Sequence, residues 1–205
     1  MENSIRRNGS AHSRALMRVI AVGLMAALVY AGNYLQIKIP NGVLITRIHF
    51  GNSMCLLAGL LFGPVIGGLS SGIGAAMYDL FDPVYIVSAP YTFISKFAMG
   101  FAAGALNRVF AKKLNSTASA YISAVIGQIV YIVFYLAKSY YTIAIVKGTP
   151  EAAWTAVGTN AITSSVNAVI AVIISVPVAF ALKKALKNTA MGRLMNSDST
   201  ETKSA

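Results

Sequence analysis

Acidic side chains are scarce in this chain: six aspartates and glutamates stand against seventeen lysines and arginines in 205 residues. Cysteine is scarcer still. Cys55 stands alone, which rules out an intrachain disulfide and leaves the redox compartment open. The two histidines, His12 and His49, lie far apart. No H-E-x-x-H pattern and no helix of paired carboxylates accompanies them, which argues against an intramembrane enzyme. Nucleotide motifs are missing as well. The stretch GGLSSGIG, residues 67–74, fits neither G-x-x-x-x-G-K nor G-x-G-x-x-G, so the chain is expected not to hydrolyse ATP itself. Neither a metal site nor a cofactor is expected.

What is present is apolar. Hydrophobic residues make up 56% of the chain and charged ones 11%, with a mean hydropathy of +0.65. A soluble domain would carry about 25% charged residues. The apolar residues come in blocks long enough for a hydrocarbon core, which a helix crosses in about 20 residues. The expectation is an all-α membrane protein with six transmembrane helices in a compact bundle. The expected spans are 15–36, 48–62, 65–81, 90–110, 118–141 and 156–186. A cytoplasmic segment, 1–14, precedes this bundle of residues 15–187, and the tail 188–205 has a disordered composition. Between the first two spans, IKIPNGVLITRIHFGN returns to polar residues, with a turn former at Pro40-Asn41-Gly42. Arginines followed by VIAVGLMAALVYAGN also resemble a secretory signal, with Val29-Tyr30-Ala31 as its cleavage site. The long apolar run and the further blocks behind it favour a retained first span.

The charge of +11 raises the question of nucleic acid. Its distribution answers otherwise. Twelve of the seventeen cations fall in three clusters flanking apolar blocks: Arg6, Arg7, Arg14 and Arg18; Arg108, Lys112 and Lys113; and Lys183, Lys184, Lys187, Arg193 and Lys203. An even number of spans puts all three clusters, and both termini, on the cytoplasmic side, as the positive-inside rule requires. Asp79, Asp82 and Glu151 then fall on the outer side. The partner implied is a lipid bilayer, in a bacterial-type cell membrane, and no nucleic acid.

Small and polar residues give the spans faces. Gly23, Ala27 and Ala31 repeat every four residues on the first span, which suits either internal packing or a partner helix. Gly63/Gly67, Gly68/Gly72 and Gly100/Gly104 predict close packing of the second, third and fourth spans. Polar residues are costly in lipid and mark partners or cavities. Gln128, Tyr131, Tyr135 and Lys138 form one stripe on the fifth span. Asn160, Ser164 and Asn167 form another on the sixth, with Trp154 above them. Thr92 and Lys96, with Tyr91 beside them, face the same depth from the fourth span, and Asp79 closes the third. These stripes predict one outer cavity whose ligand is a small heteroaromatic molecule. Lys96 has two readings, a ligand donor or a structural partner of Asp79; Lys138 can also snorkel to headgroups.

With these residues in hand, the chain resembles the substrate-binding S components of energy-coupling factor (ECF) transporters. The likeness is carried by HFGNSMCLLAGLLFGPVIGGLSSGIGAAMYDLF and APYTFISKFAMGFAAG, together with the basic N-terminus and the AxxxA first span. It lies nearest the branch of riboflavin-, pyridoxine- and hydroxymethylpyrimidine-type members. The resemblance implies a six-helix bundle that captures a vitamin or vitamin precursor from outside. It also implies assembly with a transmembrane coupling subunit and two ATP-binding-cassette ATPases, docking through Ala27 and Ala31, and delivery by toppling in the membrane. The capping loops carry fewer aromatics than riboflavin-type members, so substrate identity does not carry over. A stand-alone secondary transporter or small channel, with Lys96 and Asp79 as a proton relay, is the alternative of another class.

Overall fold

Glycine and proline set the helix boundaries in the computed structural model, which describes residues 2–40 and 45–200, with side chains described for 13–38, 40 and 47–195. Helix α1 (Glu2–Tyr34) starts well before the expected Ala15. Helix α2 (Gly51–Phe62) stops at Gly63, whose φ of 79° only glycine adopts at low cost. Pro64 then opens α3 (Pro64–Phe81) from the first helical position, where its missing N–H is no loss. A short 3-10 turn, Ile86–Ser88, leads into α4 (Ala89–Phe110). The N-terminus of α5 (Ser116–Tyr140) is capped by Asn115, whose side chain accepts from the Ala118 N–H at 2.7 Å. A wider π-type turn, Tyr141–Val146, and Gly148 at φ 67° precede Pro150, the first residue of α6 (Pro150–Leu186). That helix begins six residues before the expected Ala156.

Two expectations are corrected. The polar return after α1 is a β-hairpin, so the fold is not purely helical. Strand β1 (Gln36–Pro40) pairs antiparallel with β2 (Ile45–His49), in the register Gln36↔His49, Ile37↔Ile48 and Lys38↔Arg47. The alternation behind it was present in the residues: Ile37 and Ile48 on one face, and Gln36, Lys38, Arg47 and His49 on the other. Asn41 and Gly42 of the expected turn lie outside the described residues. The tail expected to be disordered from residue 188 forms helix α7 (Ala190–Thr200), and residues 201–205 lie outside the described set. Leu194 is buried and Met191 and Met195 pack on the main core, an apolar spacing that the polar composition of the last ten residues concealed.

The core is organised around α2. Eleven of its 12 residues are buried, as expected of a helix apolar on every side. It packs against α1, α3, α4 and α6. The close approach of α2, α3 and α4 depends on glycine, as the four-residue spacing predicted. A Cβ on Gly67 would collide with the Gly59 backbone, and one on Gly100 with the Gly67 carbonyl. Among the described residues three helices have the length and apolarity to cross a membrane: α1 from Ser13, α5 with its following turn, and α6. Helix α2 is apolar but shorter.

The glycine contacts are testable within one protein. Gly100→Ala forces backbone apart and is expected to lower stability by about 1–3 kcal/mol, the usual cost of overpacking. At Gly158 an added Cβ meets nothing within 4 Å, so Gly158→Ala is expected to leave the melting temperature unchanged or slightly raised. Thermal unfolding in detergent compares the two.

Candidate functional site

The hairpin register creates an electrostatic problem that the site solves. Lys38 and Arg47 stand directly opposite each other on the inward face, and like charges so placed repel. Both are met by carboxylates from the last turn of α3 and the residue that caps it. Arg47 Nη2 donates to Asp79 Oδ1 at 2.6 Å, and Lys38 Nζ donates to Asp82 Oδ2 at 3.0 Å. Arg47 also lies 4.1 Å from the centroid of the Tyr85 ring and 5.0 Å from that of Tyr78. Gln36 Nε2 donates to the Tyr78 hydroxyl. The hairpin is thus a polar roof over the ends of α3 and α4.

The two ion pairs differ in weight. Lys38 is 43% exposed, Arg47 only 13% and Asp79 1%. An exposed pair is worth about 0–1 kcal/mol. Removing one partner of a buried pair costs about 3–5 kcal/mol, because a charge is left without compensation. Burial alone would raise the Asp82 carboxyl, but the Lys38 ammonium and the Val84 N–H outweigh it and hold the carboxyl below its ordinary value. The Lys38 ammonium is raised by its hydrogen bond to Asp82. With Asp82 depressed, its contribution is complete above the unfolded carboxylate value and is lost as pH falls through the folded one. The Lys38 contribution is lost only as pH rises through its raised value, so the outer latch holds throughout the neutral range.

Beneath this roof the sequence-predicted residues separate into three groups. Asp79 also accepts from the Thr92 hydroxyl at 2.5 Å, which ties α3 to α4. One helical turn below, Lys96 is 3% exposed. Its ammonium donates to Asn52 Oδ1 and sits 3.8 Å from the centroid of the Tyr131 ring. The Asn52 amide in turn donates to Gln128 Oε1 at 3.3 Å. Tyr131 stacks on Tyr135 with centroids 5.8 Å apart. Of the two readings of Lys96, the pair with Asp79 is not formed: Asp79 is taken by Arg47 and Thr92, and Lys96 is held by neutral groups. Arg47 joins the site from the hairpin, where no stripe along a helix could point to it. Asn167 belongs to this first group through the hairpin, since its Nδ2 donates to the Arg47 carbonyl at 2.7 Å and its Oδ1 accepts from the His49 N–H at 2.9 Å.

Tyr91 and Lys138 form the second group. The Tyr91 hydroxyl donates to the Phe134 carbonyl, and the Lys138 ammonium lies 5.7 Å from the centroid of the Tyr91 ring. In the third group, Asn160 Nδ2 donates to Ser139 Oγ at 2.8 Å. Trp154 packs on Tyr140 at 5.1 Å and is 66% exposed, which places it on the surface rather than over the polar centre. Gly23, Ala27 and Ala31 all face outward, and a Cβ on Gly23 meets nothing within 4 Å. Internal packing does not account for that face.

Three buried polar atoms around the first group have no hydrogen-bond partner among the described residues: Arg47 Nη1, Gln128 Nε2 and Gln36 Oε1. Lys96 keeps two further N–H donors beyond the one given to Asn52. With Tyr78, Tyr85 and Tyr131 beside them, the Arg47, Gln128 and Lys96 donors can hydrogen-bond a planar molecule bearing carbonyl or ring-nitrogen acceptors, and Gln36 Oε1 can accept from an N–H of the same molecule. Two rings that no polar stripe included, Tyr78 of α3 and Tyr85 of the loop after it, are gathered by Arg47. Among the described residues no group of three or more His, Cys, Asp or Glu is placed to hold a metal ion.

The apolar helical bundle thus encloses a buried, charged polar centre under a hairpin. Residues 14–184 match the family model of the ECF-type riboflavin transporter, S component. The chain belongs to that family, whose members are substrate-binding membrane subunits that partner with other ECF transporter components, not enzymes. A solved structure described as "Structure and mechanism of the S component of a bacterial ECF transporter" superposes with a TM-score of 0.59 at 21% identity, covering 81% of this chain and 97% of that one. At that identity the likeness concerns the fold. A relative from Pyrococcus woesei, "Uncharacterized protein in gap 3'region", is 29% identical over 104 residues, 51% of this chain. The match spans 66% of that relative's length, just under two-thirds.

The ion pairs provide the test of this geometry. Arg47→Met is expected to destabilise by about 3–5 kcal/mol, and adding Asp79→Asn to recover much of the loss. Lys38→Met is expected to cost less than about 1 kcal/mol. Melting curves of the four proteins measure both.

Proposed function

We propose that this S component captures a vitamin or vitamin precursor at high affinity from the outer side and supplies it to an ATP-driven ECF importer. The observation that carries this reading is the set of buried, unpartnered polar atoms beside tyrosine rings: Arg47 Nη1, Gln128 Nε2 and Gln36 Oε1. A buried polar atom without a partner costs about 1–3 kcal/mol. A ligand that satisfies several at once regains that cost on binding. The family match makes riboflavin the first substrate to test, and a flavin ring offers carbonyl and nitrogen acceptors on a plane that tyrosines can face. Asp79, Thr92, Lys96, Tyr131, Tyr135 and Asn167 form or frame this centre. Tyr91, Lys138 and Asn160 belong to the two neighbouring polar groups, and Trp154 stays at the surface on Tyr140.

In this reading all six long helices span the bilayer and both termini are cytoplasmic. The paired charges of the hairpin then face outward, and the basic clusters face the cytoplasm. The outward Gly23–Ala27–Ala31 face docks the coupling subunit, which binds two ATP-binding-cassette ATPases. The whole bundle topples to bring its site to the inside. The absence of a nucleotide motif from the sequence assigns the ATP chemistry to those partners.

Two experiments test the two halves of the proposal. Riboflavin fluorescence should be quenched by the purified protein at submicromolar concentration. Lys96→Met and Gln128→Leu should each weaken binding, Lys96→Met by roughly ten- to a hundred-fold, the weight of a charged hydrogen bond. Full affinity in Lys96→Met would remove the ammonium from the site, and failure of riboflavin to bind would exclude the flavin assignment.

Docking is separable from capture. Ala27→Trp or Ala31→Trp should abolish uptake in cells carrying the complete transporter while leaving ligand binding by the isolated subunit intact. Normal uptake by both variants would show that this face is not the coupling surface.

A further inference from the structure

At the opposite end of the bundle from the hairpin, α7 folds back beside the start of α1. The turn before it is built by Thr189, whose hydroxyl donates to the Leu186 carbonyl at 2.7 Å and accepts from the Gly192 N–H at 3.1 Å. Gly192 is required there, because a Cβ would collide with the Leu186 carbonyl. Leu194, 4% exposed, pins the helix to the core. Between α1 and α7 lies a cleft of about 260 Å³ lined by Ser13, Arg14, Met17, Ala190, Arg193 and Leu194.

The cleft has an amphiphilic lining. Arg14 and Arg193 supply two guanidinium groups from two different helices, Ser13 adds a hydroxyl, and among the described residues none that lines the cleft is acidic. Met17 and Leu194 supply apolar wall. On α1 the exposed Leu16 and Ile20, one turn apart, continue an apolar surface away from it. Guanidinium groups bind phosphate oxygens in a planar fork, and more readily than ammonium groups do. Basic pockets between helices at a membrane surface take anionic headgroups on the same grounds.

We propose that this α1/α7 cleft is a phosphate-binding site whose occupant is the headgroup of an anionic phospholipid. A soluble phosphate has the same recognition chemistry, but it makes no use of the apolar wall or of the exposed stripe leading from the cleft along α1. The lipid would fasten α7 to α1 from outside, as Leu194 does from within. The site is remote from the ligand centre and does not depend on which substrate is captured.

The test uses the purified full-length protein with equal amounts of phosphatidylglycerol and phosphatidylcholine, read by native mass spectrometry. Wild type should retain phosphatidylglycerol at least about fivefold over phosphatidylcholine, the effect of roughly one basic residue at a membrane surface. Arg14→Gln with Arg193→Gln should lose the preference, and Arg14→Lys with Arg193→Lys should keep part of it. Lys112→Gln with Lys113→Gln, at the same end but outside the cleft, should keep all of it. Equal retention of the two lipids by wild type would overturn the proposal. So would an undiminished preference in the Arg14→Gln, Arg193→Gln protein, or an equal loss in the Lys112→Gln, Lys113→Gln protein. Displacement of phosphatidylglycerol by millimolar inorganic phosphate would reassign the cleft to a soluble anion. If the glutamine double variant does not fold, the wild-type lipid comparison, the phosphate competition and the lysine variants still decide.

Discussion

Two cations placed opposite each other on one face of a hairpin need anions, and that requirement connects the outer half of this structure. Lys38 and Arg47 are brought together by strand register, so neither charge can be relieved within the hairpin. Asp79 and Asp82, three residues apart at the end of α3, relieve both. Because Arg47 and Asp79 are buried, their pair sets the height at which the hairpin sits. Asp79 then accepts from Thr92, and Asn167 accepts from the His49 amide while donating to the Arg47 carbonyl. One ion pair thereby registers β2, α3, α4 and α6 against each other.

The helices can meet around that pair only because their backbones come close below it. Gly59, Gly67 and Gly100 leave no room for a Cβ where α2, α3 and α4 cross. At that spacing Lys96, one turn below Thr92, reaches Asn52 and the face of Tyr131. The choice of partner has a consequence. A carboxylate would neutralise Lys96, whereas an amide oxygen and a ring leave its charge and two of its donors unspent. The structure therefore uses up the acid at the roof and keeps a cation below it, an arrangement suited to a ligand rich in acceptors.

Much of the scaffold was legible in the sequence, because helices in an apolar chain are marked by hydropathy and by their breakers. Gly63-Pro64 separated α2 from α3, and the four-residue glycine spacing marked the close crossings. The polar stripes located Asp79, Thr92, Lys96 and Tyr131 at one depth. What escaped was pairing. Arg47 and Asp79 are 32 residues apart, and Lys96 and Asn52 are 44 apart, and no periodicity within a helix reports on such contacts. Lys96 and Asp79 were matched by charge alone, although Asp79 had a stronger cation in the hairpin. The hairpin itself was hidden by its length of five residues per strand, too short to stand out beside the long apolar blocks. The tail was misread for a different reason: Met191, Leu194 and Met195 bury one face of a helix whose remaining residues are polar.

The two ends of the bundle handle charge in opposite ways, and this bears on how a capture subunit is built. At the hairpin end Asp79 and Asp82 are matched to Arg47 and Lys38, and the polar groups left over are buried beside them. At the α7 end the basic residues of α1, α4, α6 and α7 outnumber any acid, which favours contact with an anionic surface. Between them α1 presents Gly23, Ala27 and Ala31 to the outside, where side chains too small to resist a partner helix leave its backbone accessible. In the proposed function, ligand recognition is thus confined to charges and rings inside the bundle, and the Gly23–Ala27–Ala31 wall stays free of polar groups. A protein proposed to tilt against a partner while loaded needs that separation, because any polar group added to the wall would resist movement through lipid.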